Sequence, residues 1–376
     1  MTIGACSSAV EISPPPSTVS AAEAEDLAED LDGVLQISLG VILNATAPTS
    51  ERDKRLVEVM RSAAEVSESD VQLRIETISI DRIADVESAV DALIDRGVTV
   101  IAASCDDSSM SAVVESAIAA GLLVVTGCVT IPRPELNERS PLFIDLAGLD
   151  DTPNVLATWV RKAGARSVAI VGSGLIPDVE QTCLDLEPAL LERDIEIVAK
   201  VSFTGVLDDA TGVVESVGPR LGEADVLAVC ALTPSLGELV EELRAVGFEQ
   251  PIIVPWFGDT QVWQETTNNV FVLVPASRYG DDPSPLVSAV FAELEKPEAV
   301  DVVAADTLAI LAAAAERSRA TGSRRLADVL ADMETSAVSG DVVLGRLGTS
   351  SIERGYRVIE VTDGTPEFVE VISADG

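Results

Sequence analysis

The alternation of strand-like and helix-like segments, begun near Gly33 and begun again after Asp150, constrains this chain more than any other feature. Val34–Leu43 is a continuous β-rich apolar run. Leu56, Val57, Met60, Ala63 and Ala64 then share one face of a helix, at i, i+3, i+4 spacing. Val71–Ile80 alternates as a strand does, and Val86, Ala89, Val90, Leu93 and Ile94 mark a second helical face closed by Gly97. Val98–Ala103, Met110–Ala120 and Leu122–Thr126 continue as strand, helix and strand. Apolar strands separated by helices make a parallel sheet covered on both faces.

The restart repeats the pattern. Ser167–Val171, Ile195–Phe203, Asp225–Ala231, Pro251–Val254 and Val270–Val274 read as strands. Val179–Leu191, Ala210–Leu221 and Leu236–Val246 read as the helices between them. Three further helices, Pro285–Leu294, Val302–Arg317 and Arg324–Met333, have no strands of their own and must pack on an earlier sheet. Two late strands, Tyr356–Val361 and Glu367–Ile372, finish the chain. The expected class is α/β, with two doubly wound (Rossmann-like) parallel-sheet lobes and a chain that crosses between them more than once. The length of 376 residues agrees with two domains of roughly 100–200 residues each.

Charge narrows the chemistry. There are 25 Lys+Arg against 63 Asp+Glu, no histidine, and a formal net charge of −38. Phosphate neutralisation needs clustered cations, so no nucleic-acid partner is expected. Without histidine there is no His base, no Ser-His-Asp triad and no His metal ligand; no metal and no cofactor are expected. Gly172-Ser173-Gly174 is a fragment of a phosphate loop that lacks the third glycine and the Walker lysine. No cysteine stands beside a basic partner, so no activated nucleophile is found and the chain reads as a non-enzyme. The acids are spread along the whole chain, which reads as a soluble shell suited to high ionic strength. The alternative is an acidic face for a cation or a basic partner.

Residues Ile3-Gly4-Ala5-Cys6-Ser7-Ser8 resemble a bacterial lipobox, which makes Cys6 a candidate lipidation site. A Ser/Pro/Ala/Glu-rich stretch follows through Asp32 and reads as a disordered tether, residues 1–32. The bland alternative is a chance cysteine in a tail. No run reaches the roughly 18 apolar residues of a membrane span, so the expected membrane link is a lipid. Cys183 and Cys230 sit among apolar residues and read as buried small hydrophobes.

The order of the segments resembles the type I periplasmic solute-binding proteins, and the local text resembles their branched-chain amino-acid receptor family. Val98-Thr99-Val100-Ile101-Ala102-Ala103-Ser104-Cys105 is similar to that family's strand ending in a ligand loop. Val124-Val125-Thr126-Gly127-Cys128-Val129-Thr130 with Pro134-Glu135-Leu136 resembles the next strand and loop. Phe143–Asp150 resembles the crossover into the second lobe, Asp225–Pro234 its ligand strand, and Ser339–Gly345 before Tyr356-Arg357-Val358 the late return. The resemblance covers residues 34–372 and rests on order and spacing. It implies lobes at 33–147 plus 277–350 and at 148–276 plus 351–376. It also implies an extracytoplasmic monomer that carries a small molecule to an ABC transporter permease, with the ligand held at the carboxyl ends of the strands and enclosed by hinge closure. A ligand-sensing receptor module of the same fold is the alternative.

The resemblance also assigns candidate ligand residues. In the first lobe these are Asp106, Asp107, Ser108 and Ser109, between strand and helix, with Cys128 and Thr130 after the next strand. Asp and Ser there also serve simply to cap a helix beginning near Met110. An Asp at position 106, where the family has Ser, would repel an anionic ligand group. Cys105 and Cys128 end consecutive strands, which leaves both a disulfide and two free thiols open. In the second lobe the family's tyrosine falls at Leu232, and the acid that binds an amino group falls at Trp256. Trp256 and Phe257 either line the cleft or pack in a core; Tyr279 is a further cleft or hinge candidate. Without the ammonium-binding acid, the expected ligand is less zwitterionic than leucine: a small amino-acid-like or aromatic/aliphatic polar molecule, such as an acid or an amide.

Overall fold

The structure is a computed structural model, and it describes residues 35–46, 50–67, 69–103, 107–127, 140–147, 151–173, 177–203, 210–230, 236–260, 262–344 and 352–374. Strands β1 (Gln36–Asn44), β2 (Gln72–Ile80), β3 (Val100–Ala103), β4 (Leu123–Thr126) and β5 (Phe143–Ile144) form a five-stranded sheet in the order β2-β1-β3-β4-β5. Every pair in it is parallel. Helices α1 (Ser50–Val66), α2 (Val86–Ile94) and α3 (Asp107–Ala119) connect the strands. The sheet is apolar on both faces because two separate clusters form on it. Val41, Val100 and Val125 face α1 and the later helices, whereas Ile42, Ile101 and Val124 face α2 and α3.

Helix α4 (Thr152–Lys162) opens the second unit with proline in its first turn, where a missing N–H costs nothing. Strands β6 (Ser167–Ser173), β7 (Glu196–Phe203), β8 (Val226–Cys230), β9 (Ile252–Val254) and β10 (Val270–Val274) are parallel. They alternate with helices α5 (Pro177–Leu191), α6 (Ala210–Leu221) and α7 (Leu236–Ala245). Strands β14 (Tyr356–Thr362) and β15 (Thr365–Ile372) add to β10 in antiparallel fashion and complete a seven-stranded sheet, β15-β14-β10-β9-β8-β6-β7. Their two-residue turn has φ of 50° at Asp363 and 71° at Gly364, the left-handed pair that a tight hairpin needs. Cys230 is fully buried among apolar residues of this unit, as read from the sequence; the side chain of Cys183 lies outside the described residues.

Between these strands the chain returns to the first sheet. Helices α8 (Pro285–Ala292), α9 (Asp301–Ser318) and α10 (Ser323–Leu330) bury Val287, Val302, Leu308 and Leu326 in the first unit's core. Strands β11 (Glu334–Ala337), β12 (Gly340–Leu344) and β13 (Ile352–Arg354) form a small antiparallel sheet whose inner residues join the same core. These three strands are short and the first is polar, so they carry no strand signal in the sequence. The late helices therefore pack on the first sheet. The first two crossings leave β5 and β10, both at the carboxyl ends of parallel strands. The two sheets are thus linked at the edges where such folds bind ligands.

Candidate functional site

Three segments cross between the units, and buried ions pin them together. Asp306 on α9 is fully buried and accepts from the Ser339 amide (2.8 Å), the Ser339 hydroxyl (2.7 Å) and Arg354 Nη1 (2.9 Å). Arg354 also donates to the Leu146 carbonyl on the first crossing (2.8 Å). Arg357 on β14 grips Asp282 of the second crossing through two bonds of 2.9 Å and reaches the Ser339 carbonyl at 2.7 Å. Asp282 in turn accepts from the amides of Ser277 (2.6 Å) and Ser284 (2.8 Å). Thr152 and Tyr356 share a hydroxyl–hydroxyl bond of 3.1 Å. The Arg357–Asp282 pair is bidentate and fixes direction as well as distance, so the crossings meet in a defined network of buried ions.

A second ionic cluster lies beside it. The chain leaves β9 through Pro255 into a 3-10 turn, Trp256–Gly258, and then Asp259, which is 2% exposed. Asp259 Oδ1 accepts from the Tyr279 hydroxyl at 3.0 Å. Its Oδ2 accepts from the Ala299 amide at 3.0 Å and lies 3.0 Å from Arg278 Nε. Arg278 Nη2 donates to the Asp259 carbonyl at 2.6 Å, and the guanidinium stands 5.1 Å from the centre of the Tyr279 ring. Burial pushes the Asp259 carboxyl above the ordinary carboxylate value, against the pull of Arg278. The same burial, with the adjacent Asp259 charge, raises the Tyr279 phenol.

The sequence-derived candidates separate. Asp107, Ser108 and Ser109 are the first residues of α3, which begins three positions before the Met110 expected from its apolar pattern. They stand in its first turn, where amides lack helical partners, rather than before it. Phe257 is 5% exposed and Trp263 8% exposed, and both join the apolar cluster with Val254 and Leu239. Phe257 thus takes the core role that was the alternative to lining a cleft. Trp256 packs edge-on to it, with ring centres 5.6 Å apart, and remains half-buried. Tyr279 is half-buried and engaged with Asp259. Cys6, Cys105, Asp106, Cys128, Thr130 and Leu232 lie outside the described residues.

One feature of the site carried no motif. A cavity of about 320 Å³ opens beside Gly127, at the carboxyl end of β4, between the first turns of α1 and α9. Leu56, Val59 and Ala304 give it an apolar lining, and charged side chains including Arg52 and Glu298 border it. A Cβ at Gly127 would stand 2.6 Å from Met60 Cε and 2.9 Å from Leu56 Cδ1, so any side chain here requires those two side-chain ends to shift.

Comparison with known proteins agrees with this architecture. An ABC transporter substrate-binding protein from Sphaerobacter thermophilus superposes with a TM-score of 0.70 at 16% identity, covering 90% of this chain and 98% of its own. A branched-chain amino acid transporter substrate binding protein from Streptococcus pneumoniae, in complex with isoleucine, gives 0.66 at 16%, covering 90% and 99%. A solute binding protein of an ABC transporter from R. palustris, in complex with benzoate, gives 0.66 at 11%, covering 90% and 97%. No curated protein matches the sequence. The periplasmic binding protein family model matches residues 36–366, and with two linked, mainly parallel sheets of the type I arrangement the chain belongs to that family.

Proposed function

We propose that this protein is the extracytoplasmic solute-binding component of an ABC importer and that it closes about its hinge over a small carboxylic acid. The observation that carries the reading is the pair of parallel sheets linked at their carboxyl edges by crossings pinned through Asp306–Arg354 and Asp282–Arg357. Such a joint rotates two rigid units without rebuilding either core. A partner permease, a single-copy state and a lipid anchor at Cys6 belong to the same proposal. So do the lobe limits 33–147 plus 277–350 and 148–276 plus 351–376.

The ligand class follows from the turn after β9. An α-amino acid needs a buried carboxylate for its ammonium group, because a desolvated cation without a partner is costly. The first loop position here is Trp256, and the next carboxylate, Asp259, is already engaged by Tyr279, Ala299 and Arg278. A half-buried indole suits an aromatic or branched aliphatic body. The backbone amides of the helix start at 107–109 and the Thr130 loop are the proposed contacts for the carboxylate, whose binding must outweigh the repulsion expected from Asp106, and Leu232 is the proposed apolar contact. The R. palustris solute binding protein with benzoate bound shares this fold.

Calorimetric titration with benzoate, 4-hydroxybenzoate, phenylalanine and leucine tests the reading. Aromatic acids are expected to bind and to lose at least tenfold in affinity in Trp256→Ala. Tight leucine binding that Trp256→Ala leaves unchanged would overturn it.

A further inference from the structure

The connection between α8 and α9 belongs to the first unit by its helices, yet it reaches into the second. Ala299 is 1% exposed and lies in the apolar cluster of the second sheet, with Phe257 and Val272. Its amide donates to Asp259, which follows the Trp256 turn directly.

This projection is held rigidly from behind. Arg55 on α1 takes the Asp301 carboxylate through Nε (3.2 Å) and Nη2 (2.7 Å) and donates to the carbonyls of Glu295 (3.2 Å) and Lys296 (3.4 Å). The Glu298 amide donates to Asp301 Oδ2 at 2.9 Å. Lys296 adopts a left-handed backbone, with φ of 53°, to make the bend. Residues 295–301 are therefore a stiff knuckle fixed to the first unit with its tip buried in the second. It joins the units without a covalent crossing.

Asp259 is where the knuckle, the second crossing and the aromatic turn meet. Its carboxylate accepts one hydrogen bond from the knuckle and one from Tyr279 of the crossing, and it pairs in charge with Arg278 beside it. We propose that Asp259 is a positioning residue that couples the Trp256 turn to the angle between the two units. Rotation of the units drags the Ala299 amide and the Tyr279 hydroxyl, and through Asp259 it moves the turn that carries Trp256. Conversely, a ligand that displaces Trp256 pulls on the knuckle. The proposal rests on the bilobal reading above but not on the identity of the ligand.

The test is made on the full chain without ligand. Spin labels are attached through a ketone-bearing amino acid at the exposed positions 61 and 192, because native cysteines rule out thiol labelling. Electron–electron resonance then gives the distance distribution between the units, and hydrogen exchange gives the protection of the Ala299 amide. Asp259→Asn turns a donor toward groups that are themselves donors. It is expected to broaden the distribution and speed Ala299 exchange at least tenfold, while the amides of β6 and β8 keep wild-type protection. Tyr279→Phe, which removes one donor and no charge, is expected to shift both readouts in the same direction by less. Wild-type distance distributions in both variants would overturn the proposal, as would broadening that appears only with loss of β6 and β8 protection. A failure to bind any acid in the calorimetric panel bears on the proposed ligand and leaves this result standing.

Discussion

The two ionic clusters at the junction are alike in composition and different in setting. Asp306 and Arg354 are both wholly buried, and their partners come from α9, the turn before β12, β13 and the first crossing. Asp259 is buried too, but Arg278 is 27% exposed and Tyr279 is half-buried, and these partners, with Ala299 of the knuckle, reach from the second crossing and the first unit to an acid on the second. The first arrangement closes one unit around its returning chain. The second spans two bodies and keeps an edge in solvent. A buried ion pair is weak grounds for stability as such, because desolvation offsets the attraction, but removing one partner strands the other. Position rather than chemistry decides which pair locks and which pair can move.

The largest test of this contrast is Arg354→Ala. It leaves Asp306 charged and unpaired in a dry core and is expected to cost about 3–5 kcal/mol, read as a fall in the denaturation midpoint. A loss below about 1 kcal/mol would place the two clusters in the same class. An apolar control comes next. Gly127→Ala forces Met60 and Leu56 to give way within a packed core, and should cost about 1–3 kcal/mol in chemical denaturation without touching either cluster.

A pH titration sharpens the comparison further. Burial raises the folded pKa of Asp259 above its unfolded value. Its contribution to stability is therefore present below the unfolded value and lost as pH rises through the folded one. Asp225 is the reverse. The Arg166 amide, with the amide and hydroxyl of Ser167, holds its carboxyl low, so its contribution is present above the unfolded value and lost as pH falls through the folded one. Asp259→Asn should thus cost more stability in mild acid than at neutral pH, and Asp225→Asn the opposite. Parallel pH profiles for the two variants would remove the distinction. The smallest effect is expected at the surface. Breaking Lys54–Glu51, exposed by 61% and 82%, should change stability by no more than about 0.5 kcal/mol, and by less still in salt.

The sheets were legible because their residues carry the signal locally. Val270–Val274 and the Ala210–Leu221 helix stand where periodicity placed them, and other strand and helix ends moved by up to three residues. Helix α4 follows directly on the crossover, so its apolar face of Val155, Leu156, Trp159 and Val160 is not set off from that segment in the sequence. The junction of the crossings had no local signal at all. Arg354 meets Asp306 across 48 residues and Leu146 across 208, and Arg357 meets Asp282 across 75. Such pairs are set by the return of the chain, which no window reveals. Asp259 was overlooked for a related reason. The resemblance directed attention to Trp256, and a carboxylate three residues later shows its importance only once Ala299 and Tyr279 are brought to it.

Small-angle scattering of the full chain, with and without a saturating acid from the calorimetric panel, tests the central claim most directly. A bilobal binder that closes about a pinned hinge must show a smaller radius of gyration when loaded, with no loss of secondary structure. A ligand that binds with measurable heat but leaves the scattering curve unchanged would contradict closure.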